Sequence, residues 1–111
     1  MSIPFEYVAD LRAAHAVPER GTLSRALRND DCAKVVWFGF AAGEELSEHT
    51  ASMPATLHFV CGEAEVMLGG ERVEARAGTW IYMPAHLKHA IRVKTPTVML
   101  LTLIKTPARS A

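Results

Sequence analysis

The chain has 111 residues, half of them hydrophobic, and its 12 lysines and arginines balance 12 aspartates and glutamates. That length suits one domain with a real core, and the apolar half exceeds what a small solvated monomer needs, which favours a homodimer. Zero net charge leaves no global field to recruit nucleic acid or an anionic membrane, so neither is an expected partner. No run approaches the roughly 18 apolar residues of a membrane span, and the start Met1-Ser2-Ile3-Pro4-Phe5-Glu6-Tyr7 lacks the basic and apolar regions of a secretory signal. A cytoplasmic location is expected, with Cys32 and Cys61, which have no C-x-x-C spacing, kept reduced.

In chain order, Ala9 to His15 suits a turn of helix and Thr22 to Arg28 an edge strand, both of mixed polarity. Residues 1–30 thus read as an N-terminal arm, and Asn29-Asp30-Asp31 as the turn that closes it. Ala33 to Phe40 is too continuously apolar to have one wet face and predicts an interior strand. Ala42-Gly43 turns the chain, and Thr56 to Cys61 forms a further strand. Gly69-Gly70, between Val66-Met67-Leu68 and Arg72-Val73-Glu74-Ala75, predicts a tight hairpin. Thr79 to Met83, stopped by Pro84, and Ala90 to Val93 are short strands; Thr97 to Ile104 is a fully buried closing strand. The barrel spans residues 31–105, and 106–111 reads as a flexible tail. Many short, closely spaced strands predict an all-β jelly-roll barrel.

Two spacings carry a family resemblance. Gly43, His49 and Gly62 fall on the first glycine, first histidine and last glycine of the pattern G-x5-H-x-H-x3,4-E-x6-G; Gly78, Pro84 and His89 fall on the glycine, proline and histidine of G-x5-P-x-G-x2-H-x3-N. From Ala33 to Ile104 the chain therefore resembles the cupin superfamily, which implies a small double-stranded β-helix, the RmlC-like jelly-roll cupin barrel. Ala51 stands in place of the family's second histidine, Ala55 of its glutamate, His86 of its second glycine and Val93 of its asparagine. The resemblance also implies an arm that pairs with a partner subunit, with the N-terminal segment and the strand around Trp37 contributing to the dimer.

Four of the five histidines lie between residues 49 and 89. Neutral imidazole suits a divalent transition metal, and the resemblance places His49 and His89 at the barrel mouth as ligands of zinc, iron, nickel or manganese. His58 is the expected third ligand, because an imidazole among Thr56-Leu57 and Phe59-Val60 needs a partner. An outward or interface position is the alternative, since Pro54 between His49 and His58 can reset the strand phase. His86, Tyr82 and Glu48 are candidates for contacting a small-molecule ligand near the mouth, through an imidazole, a phenol and a carboxylate. His15 reads as a surface residue, Cys61 as inert packing, and Trp37, Phe59, Trp80 and Met83 as core or pocket lining.

No Ser-His-Asp order, phosphate loop or H-E-x-x-H helix supports another reaction class. Two readings follow. One is a metal-dependent enzyme acting on a small organic molecule, in a family that the resemblance extends over dioxygenases, isomerases and lyases. The other is a non-catalytic binding or sensor barrel, which the two missing ligands make credible.

Overall fold

Short runs of β-branched, aromatic and aliphatic residues, punctuated by Gly, Pro, Asn and Asp, build nine strands among residues 5–105, which the computed structural model describes. They are β1 (Thr22–Asn29), β2 (Ala33–Phe40), β3 (Glu45–His49), β4 (Ala55–Cys61), β5 (Ala64–Leu68), β6 (Glu71–Ala75), β7 (Trp80–Met83), β8 (His89–Val93) and β9 (Thr97–Ile104). The expected turn of helix is a 3-10 turn at Leu11–Ala13, held by the Asp10 carboxylate, which accepts from the Arg12 N–H at 3.0 Å. Residues 1–4 and the predicted tail at 106–111 lie outside the described residues.

Every pairing is antiparallel. One sheet has five strands in the order β1-β2-β9-β4-β7, and the other four in the order β3-β8-β5-β6. These are the two sheets of an all-β jelly roll. β1 is an edge strand as expected, so that residues 22–29 of the expected arm belong to the sheet; β2 lies inside it, between β1 and β9. Leu68 faces Glu71 across the two-residue Gly69-Gly70 loop, in which only Gly69 takes a positive φ, 63°, as a type II′ turn requires.

Alternation along the strands sets the two faces. Phe40 of β2, Leu57 and Phe59 of β4, Met83 of β7 and Met99 of β9 point inward, against Val66 of β5, Ala75 of β6 and Ile91 and Val93 of β8. All are buried, which removes from water the apolar surface that drives the two sheets together. β2 reads as continuously apolar because its outer face is covered too. Trp37 points outward yet is fully buried: its indole N–H donates to the Leu11 carbonyl at 2.6 Å, and the His15 ring stands edge-on to it, 5.1 Å between centroids. Gly39 makes room for that indole, since a Cβ there would meet Trp37 ring carbons at 2.7 and 2.8 Å. His15 is therefore half-buried in the docked N-terminal segment rather than a plain surface residue.

Candidate functional site

β3 has the sequence Glu-Leu-Ser-Glu-His, with too little apolar alternation to be read as a strand, and it forms because it can pair with β8. Glu45 faces Arg92, Leu46 faces Ile91, and then the register slips, so that His49 faces His89. Three steps on β3 thus match two on β8, a β-bulge across Ser47 and Glu48. Its consequence is chemical. Simple alternation from the inward Leu46 would send Glu48 into the barrel and His49 out; the extra residue restores His49 to the side of His89, which shares the inward phase of Ile91 and Val93.

The two imidazoles lie with ring centroids 4.2 Å apart and planes at 60°. His49 is exposed and His89 is 7% exposed. Each ring is fixed by the same local bond: His49 Nδ1 sits 2.8 Å from the Ser47 carbonyl, and His89 Nδ1 sits 2.9 Å from the Leu87 carbonyl, two residues back in both cases. A carbonyl oxygen only accepts, so each Nδ1 carries the proton and donates. In the neutral ring that leaves both Nε2 atoms with lone pairs free, the tautomer that a metal-ligating histidine needs. The backbone oxygens of Ser47 and Leu87 are thus part of the site. Nothing in the sequence could flag them, because any residue supplies a carbonyl.

His58 does not join the pair. Ala55, Leu57 and Phe59 are buried on the inner face of β4, which turns Thr56 and His58 outward, with His58 between Leu100 of β9 and Trp80 of β7. The expected third ligand is therefore corrected to the outward alternative. Pro54 precedes β4 without breaking its phase, and the phase change that matters lies in β3 instead. Ala55 is 2% exposed and faces inward, so the position of the family's glutamate carries a methyl group. Among the described residues, no three His, Cys, Asp or Glu side chains gather as a metal cluster.

Of the other candidates, Tyr82 points outward from β7 beside Thr56 and lies half exposed, away from the inner face. Glu48 is exposed at the bulge, lining a shallow outer groove with Glu45, Glu65, Met67 and Arg92. His86 is exposed in the turn between β7 and β8, where its N–H donates to the Ala51 carbonyl at 2.7 Å, two residues beyond His49. Its φ is 69°, the left-handed backbone that the family's glycine would adopt without strain.

The Cupin domain family model matches residues 36–104, and the chain belongs to that family. Among solved structures, a conserved protein of unknown function from Streptococcus pyogenes is 27% identical, with a TM-score of 0.85 over 96% of this chain and 93% of that one. A cupin superfamily protein from Desulfitobacterium hafniense is also 27% identical, with a TM-score of 0.84 over 94% and 95% of the two chains. An RmlC-like cupin from Desulfovibrio desulfuricans shares the fold at 22% identity and a TM-score of 0.79, covering 90% of this chain and 97% of that one. No curated protein matches the chain significantly. No helix among the described residues is long and apolar enough to cross a membrane.

Proposed function

We propose that this cupin binds a divalent transition metal through Nε2 of His49 and Nε2 of His89, and binds a small organic molecule at the same place. The observation that carries this reading is the matched pair of Nδ1 bonds to the Ser47 and Leu87 carbonyls, which presents two lone pairs from rings 4.2 Å apart. Two neutral imidazoles fit zinc, iron, nickel or manganese by donor type but fill only two positions of such an ion. The remaining positions would be left to water and to oxygens of the bound molecule. When bound, the ion would supply Lewis acidity or redox chemistry.

This chain's own residues do the positioning. The β3 bulge sets His49 opposite His89, the two carbonyls hold the rings in one tautomer, and Ala55 keeps its part of the inner face of β4 apolar. That apolar face also supports the second reading, a barrel that binds its small molecule without turnover. Its histidines would then act as hydrogen-bonding groups rather than ligands.

Metal titration of the purified, metal-stripped protein tests the proposal. One ion per chain is expected for the wild type, with loss of most affinity in His49→Ala and in His89→Ala and no loss in His58→Ala. Ala55→Glu, which adds a carboxylate at the inner wall, is expected to tighten metal binding by about tenfold or more while lowering the stability of the metal-free protein. Full metal retention in His49→Ala or His89→Ala would reject the metal centre and leave the binding barrel.

A further inference from the structure

β2 begins with a lysine in the inward phase. Its alternation sends Trp37 outward and Val36, Phe38 and Phe40 inward, so Lys34 belongs with the inner set. The register agrees: Lys34 pairs with Leu103, and Leu103 with Ala55, both of which pack on the core. Of the charged residues on the nine strands, only Lys34 and Glu71 share this phase, Glu71 through its pairing with Leu68. In each sheet the inner phase ends in one row of paired residues. On the five-stranded sheet the row is Lys34, Leu103, Ala55 and Met83; on the four-stranded sheet it is His49, His89, Leu68 and Glu71.

Both rows lie at one end of the barrel. Residues 50–54 run from His49 to Ala55 and residues 84–88 from Met83 to His89, and the bond from His86 N–H to the Ala51 carbonyl clasps the two connections together. Lys34 and the imidazole pair therefore belong to the same opening. Glu71 is exposed at its far edge, three strands from His49. Leu87, Leu101 and Leu103, partly buried and packed on the core, make this end of the barrel otherwise apolar.

We infer that the small molecule bound at this end is an organic anion, a carboxylate with an apolar body, and that Lys34 is the residue that selects its charge. The inference rests on the reading that the His49 and His89 end of the barrel is the binding site, and adds what that end selects. Lys94 is paired with Glu74 at 2.9 Å and Lys105 with the Asn29 side-chain oxygen at 2.6 Å, whereas Lys34, half-buried, enters no ion pair among the described residues. Its neighbours are committed elsewhere. Asn29, which faces it across β1, gives its oxygen to Lys105, and Asp30 accepts from Arg28 and from the N–H groups of Cys32 and Ala33. A partly desolvated ammonium without a counter-charge is costly to the fold, and the apolar surroundings that make it so also strengthen its attraction for an anion. As a compact point charge with three donors it suits a carboxylate, while Glu71 repels one and so directs the charged end of the molecule toward β2.

Magnetic resonance titration of the metal-stripped full chain with hexanoate and benzoate, and with the neutral hexanamide and benzamide, tests the inference apart from any metal. Each acid is expected to bind about tenfold or more tighter than its amide. Lys34→Met is expected to erase that preference and Lys34→Arg to keep most of it. Zinc titration of Lys34→Met is expected to match the wild type, whereas His49→Ala loses zinc but, free of metal, still prefers the acids. A wild type that takes up no zinc yet prefers the acids would remove the metal centre and leave the inference standing. Acids bound no better than amides by the wild type, or a preference that survives in folded Lys34→Met, overturns the inference whatever the zinc titration gives.

Discussion

Gly62 shows at a single residue why a family glycine is kept. Its φ is 94°, and the turn from Thr95 to Thr97 packs directly on it, so that an added Cβ would lie 2.5 Å from the Pro96 carbonyl oxygen and 2.7 Å from Thr97 Cα. Both neighbours are backbone and cannot swing aside. Gly62→Ala therefore combines a left-handed conformation, about 1–2 kcal/mol, with overpacking of about 1–3 kcal/mol. Gly78 has nearly the same φ, 92°, and nothing within 4 Å of its would-be Cβ, so Gly78→Ala incurs only the conformational cost. Chemical denaturation is expected to rank the two variants in that order, with Gly62→Ala less stable by at least ~1 kcal/mol; equal losses would mean that the Thr97 turn yields. The spacing of both glycines was legible in the sequence. The difference between them was not, because it depends on a turn more than thirty residues away in the chain.

At the scale of elements, the β1–β2 hairpin is fastened by one carboxylate. Asp30 Oδ1 accepts from the N–H groups of Cys32 and Ala33 at 2.8 and 3.0 Å, and Oδ2 accepts from Arg28 Nε at 2.8 Å. The Arg28 bond first, and the two backbone bonds after it, hold the Asp30 carboxyl down at about 2 from an ordinary value of 3.8. A depressed carboxyl stabilises the fold when ionised: its contribution is whole above pH ~4 and is lost as pH falls toward 2. Asp30→Asn keeps an acceptor for the backbone but removes the charge. It is expected to unfold more readily than wild type at neutral pH and to narrow that gap as the solution is acidified to pH 2; a gap independent of pH would show that the charge contributes nothing. Strand legibility divides along similar lines. Apolar β2, β4 and β9 announce themselves by composition, and the hairpin by its paired glycines. β3 does not, because Ser47 and Glu48 leave the strand pattern to bulge, and only the pairing of His49 with His89 reveals which way the histidine faces. His58 faces out for a different reason, the regular alternation of β4 in which Ala55, Leu57 and Phe59 take the inner face.

Across the whole molecule, length, composition and glycine spacing were enough to identify the jelly roll, because both sheets are specified by where apolar runs and turns fall along the chain. Which surfaces remain uncovered was not legible in the same way: Trp37 and Trp80 are equally hydrophobic as letters, yet one is enclosed beneath Leu11 and His15 and the other stands in solvent. One feature of the strand order bears on how the protein comes into being. β9, which follows every other strand in the chain, lies in the middle of the five-stranded sheet, joining β2 to β4. Until residue 104 has been synthesised, β1 and β2 cannot meet β4 and β7, and two apolar strand edges stay unpaired in the nascent chain. Contacts that span such sequence distances form slowly, on the millisecond-to-second scale typical of all-β domains. A chain ending at Lys94 is therefore expected to remain protease-sensitive and sheet-poor, whereas one ending at Lys105 resists digestion. Resistance in the shorter chain would mean that the four-stranded sheet folds by itself. Otherwise the nascent protein depends on its last strand, and during synthesis it is a natural client for chaperones that shield open sheet edges.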